Sequence, residues 1–169
     1  MDSEERAEQA EDELMGRIYP ALRDGDLTRP GESLLRDTNV EPTFALEPRL
    51  WTTLERALEV VERDVRTGGI TGTLRLTTHE EDSRSLAWVE FQGRYHGNGI
   101  PANAGSDPQG VLWEVADAVQ ETIMALIWRV WPVCATHDRG LHAGWEHGMA
   151  VWRCAGDGTH TAAPVGELS

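Results

Sequence analysis

The sequence lacks lysine and any surplus of positive charge. All 15 of its basic residues are arginine, against 29 acidic residues, and the formal net charge is −14. A chain with this charge repels phosphate backbones and anionic lipids at long range, and no stretch of the sequence forms a basic patch that would offset the repulsion. The composition therefore predicts that nucleic acid is not a partner of this protein.

Long apolar runs and cysteines are also scarce. The longest strongly apolar run covers residues 123–128, far short of the ~20 residues that a membrane-spanning helix needs. The acidic N-terminus lacks the charged-then-apolar pattern of a secretory signal. We therefore expect a soluble, cytoplasmic protein without a membrane partner. In a reducing cytosol, two cysteines are more often thiols or metal ligands than a disulfide.

The composition predicts a folded domain preceded by a charged arm. The chain has 169 residues, of which 40% are hydrophobic and seven are tryptophan, enough apolar surface for a real core. Its first thirteen residues contain seven acidic side chains and one arginine, which would repel one another along a helix. We expect residues 1–44 to be an acidic, partly flexible arm and residues 45–169 to be a single domain that includes a tail at 131–169.

Periodicity predicts an α+β fold. Apolar residues recur every three or four positions over 48–66 and again over 108–131, which predicts two main helices. The second would begin after an Asp107 cap, and its apolar C-terminal half would be the buried spine of the domain. Alternating patterns over 74–78 and 89–95 predict two strands. We expect the helices to pack on this β-hairpin or small antiparallel sheet, followed by a C-terminal zinc-ribbon-like hairpin.

The segment WPVCATHDRGLHAGWEHGMAVWRC, residues 131–154, contains both cysteines and three of the six histidines. Cys134 and His137 are separated by two residues, a spacing at which a tight turn can aim two side chains at one cation. The following chain could turn and return as a strand that ends in Cys154. With His142, these residues make a Cys2His2 set of the kind that binds structural zinc, and His160 is an alternative ligand.

Two other interpretations of the cysteines and histidines remain open from the sequence alone. They could be ordinary core and surface residues, or they could form a catalytic pair in which a histidine activates Cys134. No pattern in the sequence identifies an oxyanion hole or an orienting acid for such a nucleophile. Only Asp138 and Glu146 supply carboxylates between the cysteines, and the order of the motif differs from that of zinc deaminases. The sequence therefore favours a protein that is not an enzyme.

The tail resembles that of a family of small bacterial proteins, mostly from high-GC species, with no known activity. The matching residues lie in three motifs of the last ~60 residues: W-P-x-C-x-x-H followed by a Gly/Leu/His element, A-V-W-x-C, and a final A-x-V-G-x-L. One departure is Ala135, which stands where a proline often follows the first cysteine. The resemblance implies that Cys134, His137, His142 and Cys154 form a unit.

These observations predict a zinc-stabilised, non-enzymatic module that acts by binding another protein. One alternative is an immunity or antidote protein whose acidic surface masks a basic partner. A second alternative is a zinc-dependent hydrolase, which would need one coordination position left open for water.

Overall fold

The computed structural model describes residues 42–82, 84–156 and 159–169. Residues Pro42–Ser169 form one compact unit. The predicted acidic arm, residues 1–44, lies almost wholly outside the described residues, so its interpretation stays a prediction.

The predicted α+β class is confirmed. The structure has two long helices, which we call α1 (Pro48–Thr67) and α2 (Pro108–Ile127), and a short 3₁₀ helix between them (Ala102–Ser106). The strands are β1 (Leu74–Thr77), β2 (Trp88–Phe91), β3 (Arg94–Tyr95), β4 (Leu141–Glu146), β5 (Met149–Cys154) and β6 (His160–Pro164). They form two three-stranded antiparallel sheets, in the orders β1-β2-β3 and β4-β5-β6.

Both helices begin as the sequence predicts. Proline occupies the first turn of each, where a missing N–H costs nothing. The Asp107 side chain accepts a hydrogen bond from the backbone N–H of Gly110, which caps α2. Helix α1 ends at Thr67, with Gly68 directly after it, and its apolar stripe is buried. Among the described residues, no helix is both long and apolar enough to span a membrane.

The expectation that α2 runs to Trp131 is wrong, and its apolar C-terminal half is buried only in part: Leu126 and Ile127 pack against the core, whereas Met124 is exposed. The helix ends at Ile127, and Trp128 adopts a left-handed backbone with φ 56°, donating its N–H to the carbonyl oxygen of Met124. The buried residues of α2 all lie between Val111 and Ile123. An apolar composition on every face does not specify which turns the sheets will cover, and here they cover the earlier ones.

The first sheet differs from the prediction at its second strand. The sequence 89–95 was expected to be one strand, but the chain reverses at Gln92 and Gly93, which have φ 52° and 79°. Positive φ at two consecutive central residues is typical of a tight hairpin turn. Phe91 and Arg94 face each other across this turn, and β3 becomes a short third strand.

The second sheet carries the cysteine and histidine tail. In β5, four of the six residues are buried, and Trp152 is completely enclosed. Trp152 packs edge-to-face on Trp131, with ring centroids 5.5 Å apart. Both tryptophans belong to one apolar core that also contains residues of both helices and of the first sheet. The second sheet is therefore held against the helices by the same core as the first.

Candidate metal centre

A short hairpin holds the first cysteine in place. The N–H of Leu141 donates to the carbonyl oxygen of Pro132 at 2.8 Å, and the N–H of Cys134 donates to the carbonyl oxygen of Arg139 at 2.7 Å. Within the loop, the N–H of Asp138 donates to the carbonyl oxygen of Cys134 at 2.8 Å. Asp138 has a φ of 51°, a left-handed conformation that aspartate tolerates better than most residues. The result is a tight knuckle over residues 134–139.

The knuckle also favours the thiolate form of Cys134. Burial by itself would raise the pKa of the Cys134 thiol. The thiolate form is favoured by hydrogen bonds from the backbone N–H groups of His137 and Thr136 and from the side chains of Cys154 and Thr136. Their combined effect exceeds that of burial, so the pKa of the Cys134 thiol lies below its ordinary value. Because the thiolate is the form of cysteine that binds metals, this environment favours a metal ligand.

The second cysteine and a histidine come from neighbouring strands. Cys154 is the last residue of β5, and it pairs across the sheet with His160, the first residue of β6. The N–H of Gly156 donates to the Cys154 sulfur at 3.3 Å. A Cβ added to Gly156 would lie 3.1 Å from the His137 ring and 3.3 Å from that sulfur. The chain therefore needs a small residue where it passes over the site.

Four potential ligand atoms converge at this point. One atom each from Cys134, His137, Cys154 and His160 lies within 4.8 Å of the other three. The Nδ1 atom of His137 is 3.7 Å from the Cys134 sulfur and 3.5 Å from the Cys154 sulfur. The Nε2 atom of His160 is 3.6 Å from the Cys134 sulfur. These residues could bind a metal ion.

The distances match a tetrahedral site. With metal–sulfur bonds of about 2.3 Å and metal–nitrogen bonds of about 2.0–2.1 Å, tetrahedral zinc places neighbouring sulfur and nitrogen ligands about 3.6 Å apart. Ordinary thiol–imidazole hydrogen bonds fit less well. The single Nδ1 atom of His137 lies beside two sulfurs, whereas a ring nitrogen has one proton or one lone pair to share. One cation between the four atoms accounts for all of the contacts.

His142, which the sequence analysis included in the ligand set, lies outside this group. It is the second residue of β4 and is exposed. The residue of β4 directly opposite Cys154 is Leu141, whereas His142 pairs with Arg153. Successive side chains of a strand point to opposite faces, so His142 is directed away from the cysteine by one residue of register. The predicted alternative, His160, lies with the other three residues instead.

Sequence reasoning missed Gln120, which fixes the base of the knuckle. Its buried side chain extends from α2, and its Nε2 atom donates hydrogen bonds to the carbonyl oxygens of Trp131 and Leu141. The distance from Nε2 to the Trp131 oxygen is 3.0 Å. These carbonyls flank the hairpin that presents Cys134. The sequence signal for this role was a single amide side chain next to Val119, on the apolar side of the helix. A polar side chain in such a place is usually buried and hydrogen-bonded to backbone groups.

Sequence reasoning also missed Asp64, a buried carboxylate on α1. Its Oδ2 atom accepts hydrogen bonds from the Trp152 indole at 2.7 Å and from the N–H of Gly166 at 2.6 Å. Its Oδ1 atom accepts from the N–H of Leu168 at 2.9 Å. Asp64 is 1% exposed, so these three donors replace the water that the carboxylate loses on burial. Asp64 thereby ties the C-terminal segment and β5 to α1.

Comparisons with protein-family models, curated proteins and solved structures found no match to this chain. The resemblance of the tail to the high-GC bacterial family therefore stays a prediction.

Proposed function

We propose that the protein is a zinc-stabilised, non-enzymatic module whose metal centre consists of Cys134, His137, Cys154 and His160. The observation that carries the proposal is the set of sulfur–nitrogen distances, 3.5 to 3.7 Å, which equal the edges expected of a tetrahedral zinc site. Two thiolates with two imidazoles are a donor set that suits zinc better than hard cations such as magnesium or calcium.

Zinc at this position would act as a cross-link. The four ligands come from the 134–139 knuckle, the end of β5 and the start of β6. These segments share few apolar side chains, because the knuckle is largely exposed and β6 has no fully buried residue. Binding energy from the metal would therefore add to the packing of Cys134 and Cys154 in the main core and would hold the exposed parts of these segments.

A hydrolase at this site is less well supported. A catalytic zinc keeps one of its positions for water, whereas four protein ligands would fill a tetrahedral site. The Cys134 and Cys154 side chains are 2% and 0% exposed, which leaves little access for a substrate. Glu146, one of the two carboxylates between the cysteines, is at the other end of β4 from Leu141 and accepts a hydrogen bond from the Thr161 hydroxyl.

We further infer that the module works through a protein partner. A closed metal site leaves the surface as the part of the molecule that can recognise something, and several large apolar side chains are exposed on it. The antidote hypothesis is a special case in which the partner is basic. It rests on the overall charge of −14 and on the arm outside the described residues.

Two histidine variants test the ligand assignment. We expect His160→Ala to weaken zinc binding by about 100-fold or more, since it removes a direct ligand. We expect His142→Ala, the matched control on β4, to change the affinity by less than about twofold. Competition with a chromophoric chelator measures both constants. The opposite order, with His142→Ala as the damaging change, would restore the ligand set first predicted from the sequence.

A further inference from the structure

A group of exposed apolar side chains lies at the end of α2 and along the segment that leads to the knuckle. Trp128 is 92% exposed, Val130 51%, Val133 41% and Met124 37%. On a monomeric protein, exposed apolar residues are usually scattered singly over the surface, whereas these four lie within a stretch of ten residues. We call this group the Trp128 surface.

Two members of the Trp128 surface, Val130 and Val133, are close in space as well as in sequence. Val130 and Val133 line one cavity of about 200 Å³ together with Arg129. Val133 pairs with Gly140 across the hairpin, and a Cβ on Gly140 would lie 3.0 Å from a methyl group of Val130. The N–H of Trp128 donates to the carbonyl oxygen of Met124 one turn earlier. Val130 and Val133 therefore lie together beside the hairpin, and Met124 and Trp128 lie one helical turn apart at the end of α2.

Trp128 is unfavourable in this position on two counts. Its left-handed φ of 56° is a conformation that bulky residues rarely adopt. Its indole is also almost fully in water, so the isolated chain gains little from burying it. A glycine or asparagine would end the helix with less strain. Strain and exposure in one residue point to a role that the isolated chain does not fulfil.

The charge along this segment of the chain indicates what the surface binds. Residues 122–137 contain no acidic side chain in a chain whose net charge is −14. Arg129 lies within the surface, and Arg139 lies next to the Val133–Gly140 pair; both are exposed. A two-fold contact of this surface with itself is disfavoured, because it would bring the same arginines together. An acidic occupant gains from both of them.

We propose that the Trp128 surface binds an acidic segment of another protein, which places an aromatic or aliphatic side chain against Trp128 and its carboxylates beside Arg129 and Arg139. This inference rests on the proposed function, since it names the kind of partner that the module recognises. Tryptophan and arginine are the residues most enriched at the energetic centres of protein interfaces, which fits this pairing.

Selection from a display library of random short peptides tests the proposal with the full-length, zinc-loaded protein. We expect the recovered peptides to be acidic and to contain aromatic or large aliphatic residues. Their affinity should fall by about tenfold or more in Trp128→Ala and in the charge reversal Arg129→Glu. The control is Trp145→Ala, since Trp145 is 42% exposed on β4 but lies outside the surface; it should bind the peptides as the unaltered protein does.

Several results would overturn the proposal. An acidic partner at this surface would be excluded if the recovered peptides were basic. It would also be excluded if they bound Trp128→Ala with unchanged affinity. Self-association of the unaltered protein that Trp128→Ala abolishes in sedimentation experiments would assign the surface to a second copy. Sedimentation with phosphatidylserine vesicles that depends on Trp128 would assign it to a membrane. The zinc content of every sample separates these failures from failure of the metal centre, because Trp128→Ala should keep its zinc.

Discussion

Chelation of zinc is expected to lower the midpoint of thermal unfolding by about 10–15 °C. A ligand that binds only the folded state at about 1,000 times its dissociation constant stabilises that state by about 4 kcal/mol. In a domain of this size each kcal/mol corresponds to a few degrees. Calorimetry with and without a strong chelator measures the shift.

Cys154→Ser provides the matched variant for this experiment. Cys154 is completely buried and pairs with Leu141 on one side and with His160 on the other, so loss of its metal bond loosens the ends of three strands. We expect Cys154→Ser to unfold near the temperature of the chelated protein and to be insensitive to chelator. A chelator response as large as that of the unaltered protein would mean that the stabilising metal binds elsewhere.

The loss of structure should also be local. Hydrogen exchange should accelerate in residues 132–141, 154–156 and 159–164, which carry the proposed ligands. It should change least in α1, whose buried stripe belongs to the main core. Uniform acceleration across the whole unit would show instead that the helices cannot fold without the metal centre.

Asp64→Ala is expected to reduce the free energy of unfolding by about 3–5 kcal/mol, a large part of the total stability of a domain. The substitution leaves the Trp152 indole and the N–H groups of Gly166 and Leu168 without the acceptor they share. Each buried donor without a partner costs about 1–3 kcal/mol. Urea denaturation followed by tryptophan fluorescence measures the change.

Two controls separate this effect from a general loss of charge on α1. Asp64→Asn keeps one acceptor oxygen, which can serve Trp152 and Gly166, so it should cost less than Asp64→Ala. Glu59→Ala removes an exposed carboxylate from the same helix and should change stability by less than about 0.5 kcal/mol. An Asp64→Ala variant as stable as Glu59→Ala would contradict the anchoring role of Asp64.

The helices were predictable because their signals are local. Proline at the start of α1, glycine after its end and the apolar spacing between them all act within one segment of chain. The end of α2 was not predictable in the same way, because the apolar residues after Ile123 read equally well as core or as surface. Whether Met124 and Trp128 are covered depends on where the sheets pack, which no local pattern specifies.

The cluster of cysteines and histidines was predictable in part for a similar reason. The spacing of Cys134 and His137 describes a turn, and a turn is local. The choice between His142 and His160 depends on the register of β4 and β6 against β5, and a shift of one residue sends a side chain to the other face. The roles of Gln120 and Asp64 depend on donors and acceptors 11 to 104 residues away, a separation at which a single sequence carries no signal of pairing.

The measurement that tests the central claim most directly is the metal content of the full-length protein purified without chelator, determined by elemental and native mass spectrometry. We expect about one zinc ion per chain, retained in His142→Ala and lost in His160→Ala. A zinc content below about 0.2 per chain, with Cys134→Ser as stable as the unaltered protein, would contradict the assignment of a structural metal centre.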